Sequence, residues 1–372
     1  MKARGIDVIN LSLGEPDFNT PEFIKDAATQ AIADNFSHYM PVPGYLDLRE
    51  AISLKLKRDN KLDYPPTQIV VSTGAKQSLA NVIMCLVNPG DEVLLPAPYW
   101  VSYSEIIKLS GGVPVVIPTD ISSDFKVPAS RIEQHITDKT KAMVFSSPCN
   151  PSGSVYSSGE LKSIADIMGK HEDIIIISDE IYEFINYTGK HHSIGQFDNM
   201  KERVVIVNGV SKAFAMTGWR IGYMAGPKWI SDACIKIQGQ FTSGTCGIAQ
   251  KAAKSAMLGD NSEVYKMRDI FLQRRDLVLD MLKEIPGIIT NTPQGAFYVF
   301  PDISSYFGKS FNNNEIKGSY DLCMFLLNDA HVALVSGEAF GNDNCIRISY
   351  AASNEELIDA IGRIKKSLEK LN

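Results

Sequence analysis

A lysine and an arginine that lie eight residues apart, Lys212 and Arg220, are the side chains of this sequence whose types and spacing most clearly indicate chemistry. Ser211 precedes the lysine, and Gly218 and Trp219 precede the arginine. Burial lowers the pKa of a lysine towards neutrality, which leaves an amine that can attack a carbonyl. An arginine offers a planar set of donors that suits a phosphate. The pair therefore indicates a carbonyl-binding lysine beside a phosphate clamp, but its spacing alone also fits a solvated lysine and a surface arginine.

The overall composition describes an ordinary globular chain of 372 residues, long enough for two domains, with 44% hydrophobic and 22% charged residues. The net charge of −6 argues against a nucleic-acid partner. The six cysteines lack paired or metal-like spacing, so we expect reduced thiols, no metal site and a cytoplasmic protein. We expect neither a membrane partner nor a signal peptide, because no apolar run has the required length.

Short apolar runs alternate with segments of helical periodicity over most of the chain. This alternation predicts a mostly parallel sheet that is covered by helices on both faces. We expect a helix over Pro21–Asn35 with Thr20 as its N-cap, and an exposed loop over Lys309–Lys317. From about Asn261 a long charged helix and shorter units, among them a strand over Ala296–Phe300, predict a smaller α+β domain. The predicted strands of the sheet are Gln68–Ser72, Glu92–Pro96, Pro114–Ile117, Lys141–Phe145, Ile174–Ser178 and Arg203–Val207.

Several polar residues follow these strands, at the sheet edge where open parallel sheets bind ligands. The turn Ser72–Lys76 opens a helix, whose N–H groups could hold a phosphate. Asn150, held between prolines, either orients a ligand or belongs to a structural turn. Asp179 either caps a helix or pairs with a protonated pyridine nitrogen. Arg347, in an apolar strand, needs an internal or a substrate carboxylate. With Lys212, these residues are the anchors that pyridoxal phosphate needs.

These residues belong to seven motifs whose order resembles that of the class I pyridoxal-phosphate aminotransferases of fold type I, in particular the bacterial aspartate/prephenate branch. The resemblance extends from about Gly5 to the end of the chain. One such motif is weak evidence, whereas seven in the family's order are specific. The motifs are Gly14–Phe18, Pro98–Tyr103, Asn150–Gly153, Ser178–Tyr182, the segment around Lys212, Gly295–Tyr298 and Arg347–Ala351.

The resemblance implies a role for each residue around the cofactor ring. Lys212 would be the catalytic residue, which binds the cofactor covalently and then moves the proton between the substrate Cα and the cofactor. Asp179 would pair with the pyridine nitrogen. Asn150 and Tyr182 would donate hydrogen bonds to the ring oxygen, and Trp100 would stack on the ring and border the substrate.

The resemblance also implies a phosphate site, a substrate site and a homodimer. Tyr39 of the partner subunit would reach the phosphate, so two chains would share each active site. Arg347 would bind the substrate α-carboxylate, with help from Asn150, Trp100 and the backbone of Gly14. The phosphate would be bound by Gly74, Ala75, Lys76, Ser211 and Arg220.

The implied fold is α/β, with a large pyridoxal-phosphate-binding domain (residues 20–265) and a smaller α+β domain (residues 1–19 and 266–372). A mostly parallel seven-stranded sheet would lie between helices in the large domain. The implied activity transfers an amino group between L-aspartate or glutamate and a 2-oxo acid such as 2-oxoglutarate, with prephenate as a further acceptor. An aromatic or alanine aminotransferase, a β-lyase and a non-catalytic ligand sensor are the alternatives.

Three features of the sequence differ from the family pattern or suggest another function. Met84 stands where we expect some aspartate-using relatives to have a lysine, so a preference for acidic substrates must come from elsewhere. The adjacent His191 and His192 lack the spaced ligand pattern of a zinc site, so we expect them in a surface loop. Relatives also carry an N-terminal arm and helix, and the resemblance places the first five residues inside that helix.

Overall fold

The computed structural model describes Met1 and residues 4–372. The expectation that the first five residues lie inside a helix therefore falls partly outside the described residues. Within them the helices are α1 (Glu22–Ala33), α2 (Leu46–Asn60), α3 (Ala75–Leu86), α4 (Ser102–Leu109), α5 (Ala129–Gln134), α6 (Ser158–Met168), α7 (Lys228–Phe241), α8 (Gly247–Leu258), α9 (Ser262–Lys283), α10 (Ser319–Asp329) and α11 (Asn354–Leu368). The strands are β1 (Ile9–Asn10), β2 (Ile69–Ser72), β3 (Glu92–Pro96), β4 (Val113–Ile117), β5 (Thr140–Ser146), β6 (Ile175–Asp179), β7 (Val204–Gly209), β8 (Gly222–Ala225), β9 (Tyr298–Val299), β10 (Ser310–Phe311), β11 (Asn314–Glu315), β12 (Val332–Ala333), β13 (Val335–Ser336) and β14 (Ile346–Ser349).

The central element is a seven-stranded sheet with the strand order β2-β8-β7-β6-β5-β3-β4. Strands β7, β6, β5, β3 and β4 run parallel to one another, while β8 is antiparallel to both β2 and β7. The predicted mostly parallel sheet is therefore confirmed. The sequence pattern identified six of its strands but not β8, because Gly222–Ala225 is short and follows the lysine motif directly.

Both faces of this sheet are buried, which explains why its strands read as continuous apolar runs. Successive residues of β2 alternate between the two faces. Ile69 and Val71 belong to the hydrophobic core on one face, and Val70 belongs to the core on the other. The same alternation places Val205 and Ile206 of β7 on opposite faces. A sheet held from both sides is a rigid base for the side chains at its edge.

A third hydrophobic core is built from both ends of the chain. It includes Leu11 from the N-terminal segment, Phe271 from α9 and Ile361 from α11. The short strand β1 pairs in parallel with β12, and β14 lies between β13 and β9 in a three-stranded antiparallel sheet. This arrangement is compatible with a smaller α+β domain, and the boundaries at residues 20 and 265 stay a prediction.

Three local predictions need correction or refinement. Thr20 does not cap α1, because its hydroxyl donates to the carbonyl of Ala215 and the helix begins after Pro21. Lys309–Lys317 is not only a loop: β10 and β11 form a small antiparallel hairpin within it. The strand expected over Ala296–Phe300 is limited to β9. Among the described residues, none of the helices combines the length and the apolar character needed to cross a membrane.

Candidate active site

A cavity of about 260 Å³ opens at the carboxyl edge of the seven-stranded sheet. Asp179 ends β6, and Ser146, its register partner, ends β5. The segment after β7 brings Lys212 to the same edge, and β14, whose isoleucines belong to the third core, contributes Arg347. The lining residues are Gly14, Ala75, Lys76, Trp100, Tyr103, Ser146, Asn150, Asp179, Ile181, Tyr182, Ser211, Lys212, Arg220, Tyr298 and Arg347.

The amine of Lys212 is part-buried in this cavity and donates a hydrogen bond to the carbonyl of Gly14. Burial lowers the pKa of this lysine to about 8. The carboxylate of Glu15 opposes that shift, while the nearby cations of Arg347 and Arg220 add to it. A lysine with a pKa near 8 has an appreciable neutral fraction at physiological pH, so it can act as a nucleophile or take up a proton.

The carboxyl group of Asp179 is buried below the cavity. Burial raises its pKa to about 6, and two hydrogen bonds limit the increase. Tyr103 donates its hydroxyl to Asp179 Oδ2 at 2.7 Å, and the backbone N–H of Ile181 donates to Oδ1 at 3.1 Å. The sequence pattern singled out Asp179 and placed Tyr103 in a motif, but it gave Tyr103 no role. The structure brings the two together because α4 packs against this end of the sheet.

Arg347 is buried and is held in place by carbonyl oxygens rather than by a carboxylate. Its Nη1 donates to Asn150 Oδ1 at 3.0 Å and its Nη2 to the carbonyl of Ser12 at 2.7 Å. The guanidinium lies 4.5 Å from the ring centroid of Tyr298. Its Nε has no hydrogen-bond partner, and no carboxylate of the described residues forms an ion pair with it. An internal carboxylate, one of the two partners expected from the sequence, is therefore absent from the part of the chain that the structure describes.

Two further tyrosines and a glycine complete this side of the cavity. The hydroxyls of Tyr182 and Tyr298 are 2.8 Å apart, so one donates to the other. A Cβ at Gly14 would lie only 2.6 Å from the Tyr298 hydroxyl, so the backbone needs a glycine there. The roles predicted from the sequence included Tyr182 and Gly14. Tyr298 was recognised only as part of a motif, because its contact with Tyr182 joins residues 116 positions apart.

The opposite corner of the cavity combines a helix N-terminus with an arginine. Helix α3 begins after Gly74, whose φ of 84° lies in the left-handed region, and no side chain of the described residues caps it. A Cβ at Gly74 would collide with the guanidinium of Arg220. The backbone of Arg220 is also in the left-handed region, with a φ of 58°. Ser211 also lines the cavity at this side of Lys212. Exposed helix N–H groups, the helix dipole and an arginine form a suitable site for a phosphate.

The remaining predicted site residues are placed differently. Trp100 lines the cavity, and the amine of Lys76 lies 4.8 Å from its ring centroid. Tyr39 is fully exposed and does not line the cavity, so its predicted role at the partner subunit's site stays a prediction. Met84, which lacks the charge to bind a substrate carboxylate, also lies outside the cavity.

The prediction of a surface loop for the histidine pair is wrong for His191, whose side chain is only 9% exposed. Its Nε2 lies 2.8 Å from Glu180 Oε2. Burial by itself would lower the pKa of this histidine, but the neighbouring Glu180 and Glu183 raise it above the ordinary value. Lys55 pairs with Glu183 at the same place. Glu180 thus faces His191, and Glu183 faces Lys55, so each buried carboxylate of this cluster has a basic partner.

Comparisons with known proteins identify the family to which this chain belongs. The family model for class I and II aminotransferases matches residues 6–364. A Petunia hybrida bifunctional aspartate aminotransferase and glutamate/aspartate-prephenate aminotransferase is 49% identical over 369 residues, which cover 98% of this chain and 77% of that protein.

Two solved structures are similar over nearly the whole chain. The aspartate aminotransferase of Rhizobium meliloti has a TM-score of 0.97 and 42% identity, with 100% of this chain and 94% of that chain covered. The aromatic aminotransferase of Pyrococcus horikoshii has a TM-score of 0.92 and 40% identity, with 98% and 96% covered. The chain belongs to the class I and II aminotransferase family, and the predictions of this family, of an α/β fold and of transaminase activity are confirmed.

Proposed function

We propose that this chain is a pyridoxal-phosphate-dependent aminotransferase that uses L-aspartate or glutamate as amino donor and a 2-oxo acid as acceptor. The observation that carries the proposal is the single cavity in which Lys212, Asp179 and Arg347 face one another. Pyridoxal phosphate, when bound, supplies an aldehyde that takes up the amino group and a ring that accepts electrons.

The cavity suits this cofactor at both of its ends. The corner formed by Gly74, Ala75, Ser211 and Arg220 fits the phosphate, because it offers backbone N–H donors and the guanidinium of Arg220. The guanidinium lies so close to the backbone that a Cβ at Gly74 would collide with it. Asp179 suits a protonated ring nitrogen as its partner, because the ion pair would compensate for the unfavourable burial of the Asp179 carboxylate. Asn150 and Tyr182 would donate to the ring oxygen, and Trp100 would stack on the ring.

Lys212 would bind the cofactor aldehyde and later move a proton. Its pKa of about 8 suits both tasks, because an amine of this pKa exchanges a proton readily near neutral pH. Its contact with the carbonyl of Gly14 holds the amine on the cavity side. Arg347 would bind the substrate α-carboxylate through two parallel hydrogen bonds, and Asn150 orients its guanidinium for that contact.

The substrate preference follows from the cations that line the cavity. Arg347, Arg220 and Lys212 have the roles described above, and Lys76 is the remaining lining cation. We assign Lys76 to the second carboxylate of an acidic substrate, instead of the phosphate role expected from the sequence. This assignment supplies the cation that Met84 cannot provide. The name of the Petunia relative, which includes both aspartate and prephenate, supports acidic substrates here too.

We also propose that the protein is a homodimer. The ring of Tyr39 is fully exposed on the single chain, and Phe241 is 70% exposed. Contact with a partner subunit would cover such side chains, and Tyr39 of the partner subunit would then reach the phosphate. Sedimentation of the purified protein tests this point: two chains per particle support it, and a monomer contradicts it.

The test of the function is an absorbance titration of the cofactor-loaded protein with L-aspartate, without any 2-oxo acid. We expect loss of the absorbance band of the lysine-bound cofactor and the appearance of one equivalent of oxaloacetate per site. Lys212→Ala should still bind the cofactor non-covalently but show no turnover, whereas Lys236→Ala, an exposed control, should behave as wild type. Substantial turnover by Lys212→Ala would refute the catalytic assignment.

The same titration separates the alternatives. Loss of absorbance with an aromatic amino acid or alanine but not with aspartate would leave the mechanism intact and refute the acidic substrate. Release of ammonia together with a 2-oxo acid would indicate a β-lyase. No response to any amino acid, with the cofactor bound, would favour a ligand sensor.

A further inference from the structure

Two cysteines that are 149 residues apart in sequence lie side by side between α3 and α7. The Sγ atoms of Cys85 and Cys234 are 3.7 Å apart. Cys85 is half-buried near the end of α3, and Cys234 is fully buried on α7. Among the described residues, no other two cysteines share a hydrogen bond or a disulfide. The pair was invisible in the sequence, where six scattered cysteines predicted isolated reduced thiols.

The two thiols are close enough to react with one another. A disulfide requires an S–S distance of about 2.05 Å, so the sulfurs need to approach by only about 1.7 Å. The hydrogen bond with Cys234 lowers the pKa of Cys85, although burial opposes the shift. The hydrogen bond with Cys85 and burial both raise the pKa of Cys234. Cys85 is therefore the more readily ionised thiol, and it is also the one that solvent reaches.

We propose that Cys85 and Cys234 are a redox modification site that forms a reversible disulfide with a hydroperoxide as oxidant. The Cys85 thiolate attacks one peroxide oxygen, the O–O bond breaks, and the released hydroxide takes up a proton to form water. The Cys234 sulfur then attacks the Cys85 sulfenic sulfur, the S–O bond breaks, and the leaving hydroxide takes up the Cys234 thiol proton to form a second water. The two thiols lose two electrons and two protons, and hydrogen peroxide is reduced to two molecules of water. An external dithiol reverses the reaction by exchange.

The position of the pair predicts its physical effect. Gln238 already couples α7 to β2 and α3, because its Oε1 accepts hydrogen bonds from Ser72 at 2.6 Å and from Asn81 at 3.0 Å. A covalent link one turn away on α7 joins helices that are already packed together. We therefore expect oxidation to stabilise the fold and to raise the thermal unfolding midpoint by a few degrees.

The experiment treats the full-length wild-type protein with hydrogen peroxide and digests it with trypsin without reduction. The tryptic peptides of residues 77–108 and 229–236 each contain one cysteine. We expect them as one cross-linked species that separates after addition of a dithiol. Cys234→Ser should abolish the species and leave Cys85 reactive towards a sulfenic-acid probe, whereas Cys246→Ala, which removes an exposed single thiol, should not change it.

Other products would overturn the proposal. Irreversible oxidation of Cys85 without a cross-link, or a disulfide between chains that Cys246→Ala removes, would show that the pair does not react together. The readout is a peptide mass on wild-type protein, so it is independent of whether Ser substitutions disturb folding. It is equally independent of the proposed transaminase substrate and of bound cofactor.

Discussion

Tyr103→Phe removes a single hydroxyl from the floor of the cavity and tests how the charge of Asp179 is maintained. The phenol donates to Asp179 Oδ2 at 2.7 Å, and both groups are buried. A hydrogen bond to a charged group stabilises it by about 1.5–3 kcal/mol. One pKa unit corresponds to about 1.36 kcal/mol. The substitution should therefore raise the pKa of Asp179 from about 6 to roughly 7–8.

The consequence is a pH-dependent loss of cofactor affinity. If only ionised Asp179 pairs with the ring nitrogen, the apparent Kd is divided by the ionised fraction. At pH 7 about nine-tenths of wild-type Asp179 is ionised, against roughly one-half to one-tenth in the variant. The variant should thus bind pyridoxal phosphate about 2- to 10-fold more weakly at pH 7 and with nearly wild-type affinity at pH 9.

The assay measures the Kd of the apoprotein for pyridoxal phosphate by fluorescence quenching at several pH values. The ratio of variant to wild type cancels the titration of the cofactor itself. Tyr156→Phe is the matched control, because Tyr156 is also buried but its hydroxyl accepts from the N–H of Val127 outside the cavity. A ratio that does not change with pH would refute the reasoning, since the hydroxyl would then act only through packing.

Three other substitutions test the charges of the cavity. The pKa of Asp179 is higher in the folded than in the unfolded protein, so the free energy of unfolding decreases as the pH rises from about 4 to about 6. Asp179→Asn should therefore stabilise the apoprotein by up to about 3 kcal/mol at pH 7.5 but not at pH 4. Thermal unfolding measures this, and an equal gain at both pH values would contradict it. Arg347→Ala should raise the KM of every amino-acid substrate and lower kcat/KM on the order of 100-fold, because it removes the buried partner of the α-carboxylate. An unchanged KM would place Arg347 outside the site. Lys76→Met should lower kcat/KM for aspartate by up to about 5-fold but leave it unchanged for alanine, and equal losses would contradict its side-chain role.

The sequence was most informative where a local pattern has one physical cause. Continuous apolar runs such as Glu92–Pro96 predicted strands buried on both faces, and the structure has them there. The motifs at strand ends placed Asn150, Asp179 and Lys212 near one another, because parallel strands end at the same edge of a sheet.

Contacts between distant segments could not be predicted in this way. The bond of Tyr103 to Asp179 depends on how α4 packs on the sheet. His191 was expected in a surface loop because the adjacent histidines lack the spaced ligand pattern of a zinc site, yet Glu180 lies close enough to form a hydrogen bond with its ring. The Cys85–Cys234 pair likewise exists only because α3 and α7 pack side by side. None of these contacts has a signature in sequence spacing.

The charges that line the cavity explain why an acidic protein would select anionic ligands. The whole chain has a net charge of −6, yet the cavity is lined by Lys76, Lys212, Arg220 and Arg347 against the single carboxylate of Asp179. Arg347 is the buried one of these cations, and a buried cation without an ion-pair partner destabilises a fold, which a sheet packed on both faces offsets. A phosphate and the carboxylates of a substrate neutralise the same cations when they bind. The excess positive charge is therefore a cost in the free protein and a source of affinity in the complex, which favours a phosphorylated cofactor together with a dicarboxylic substrate over neutral ligands.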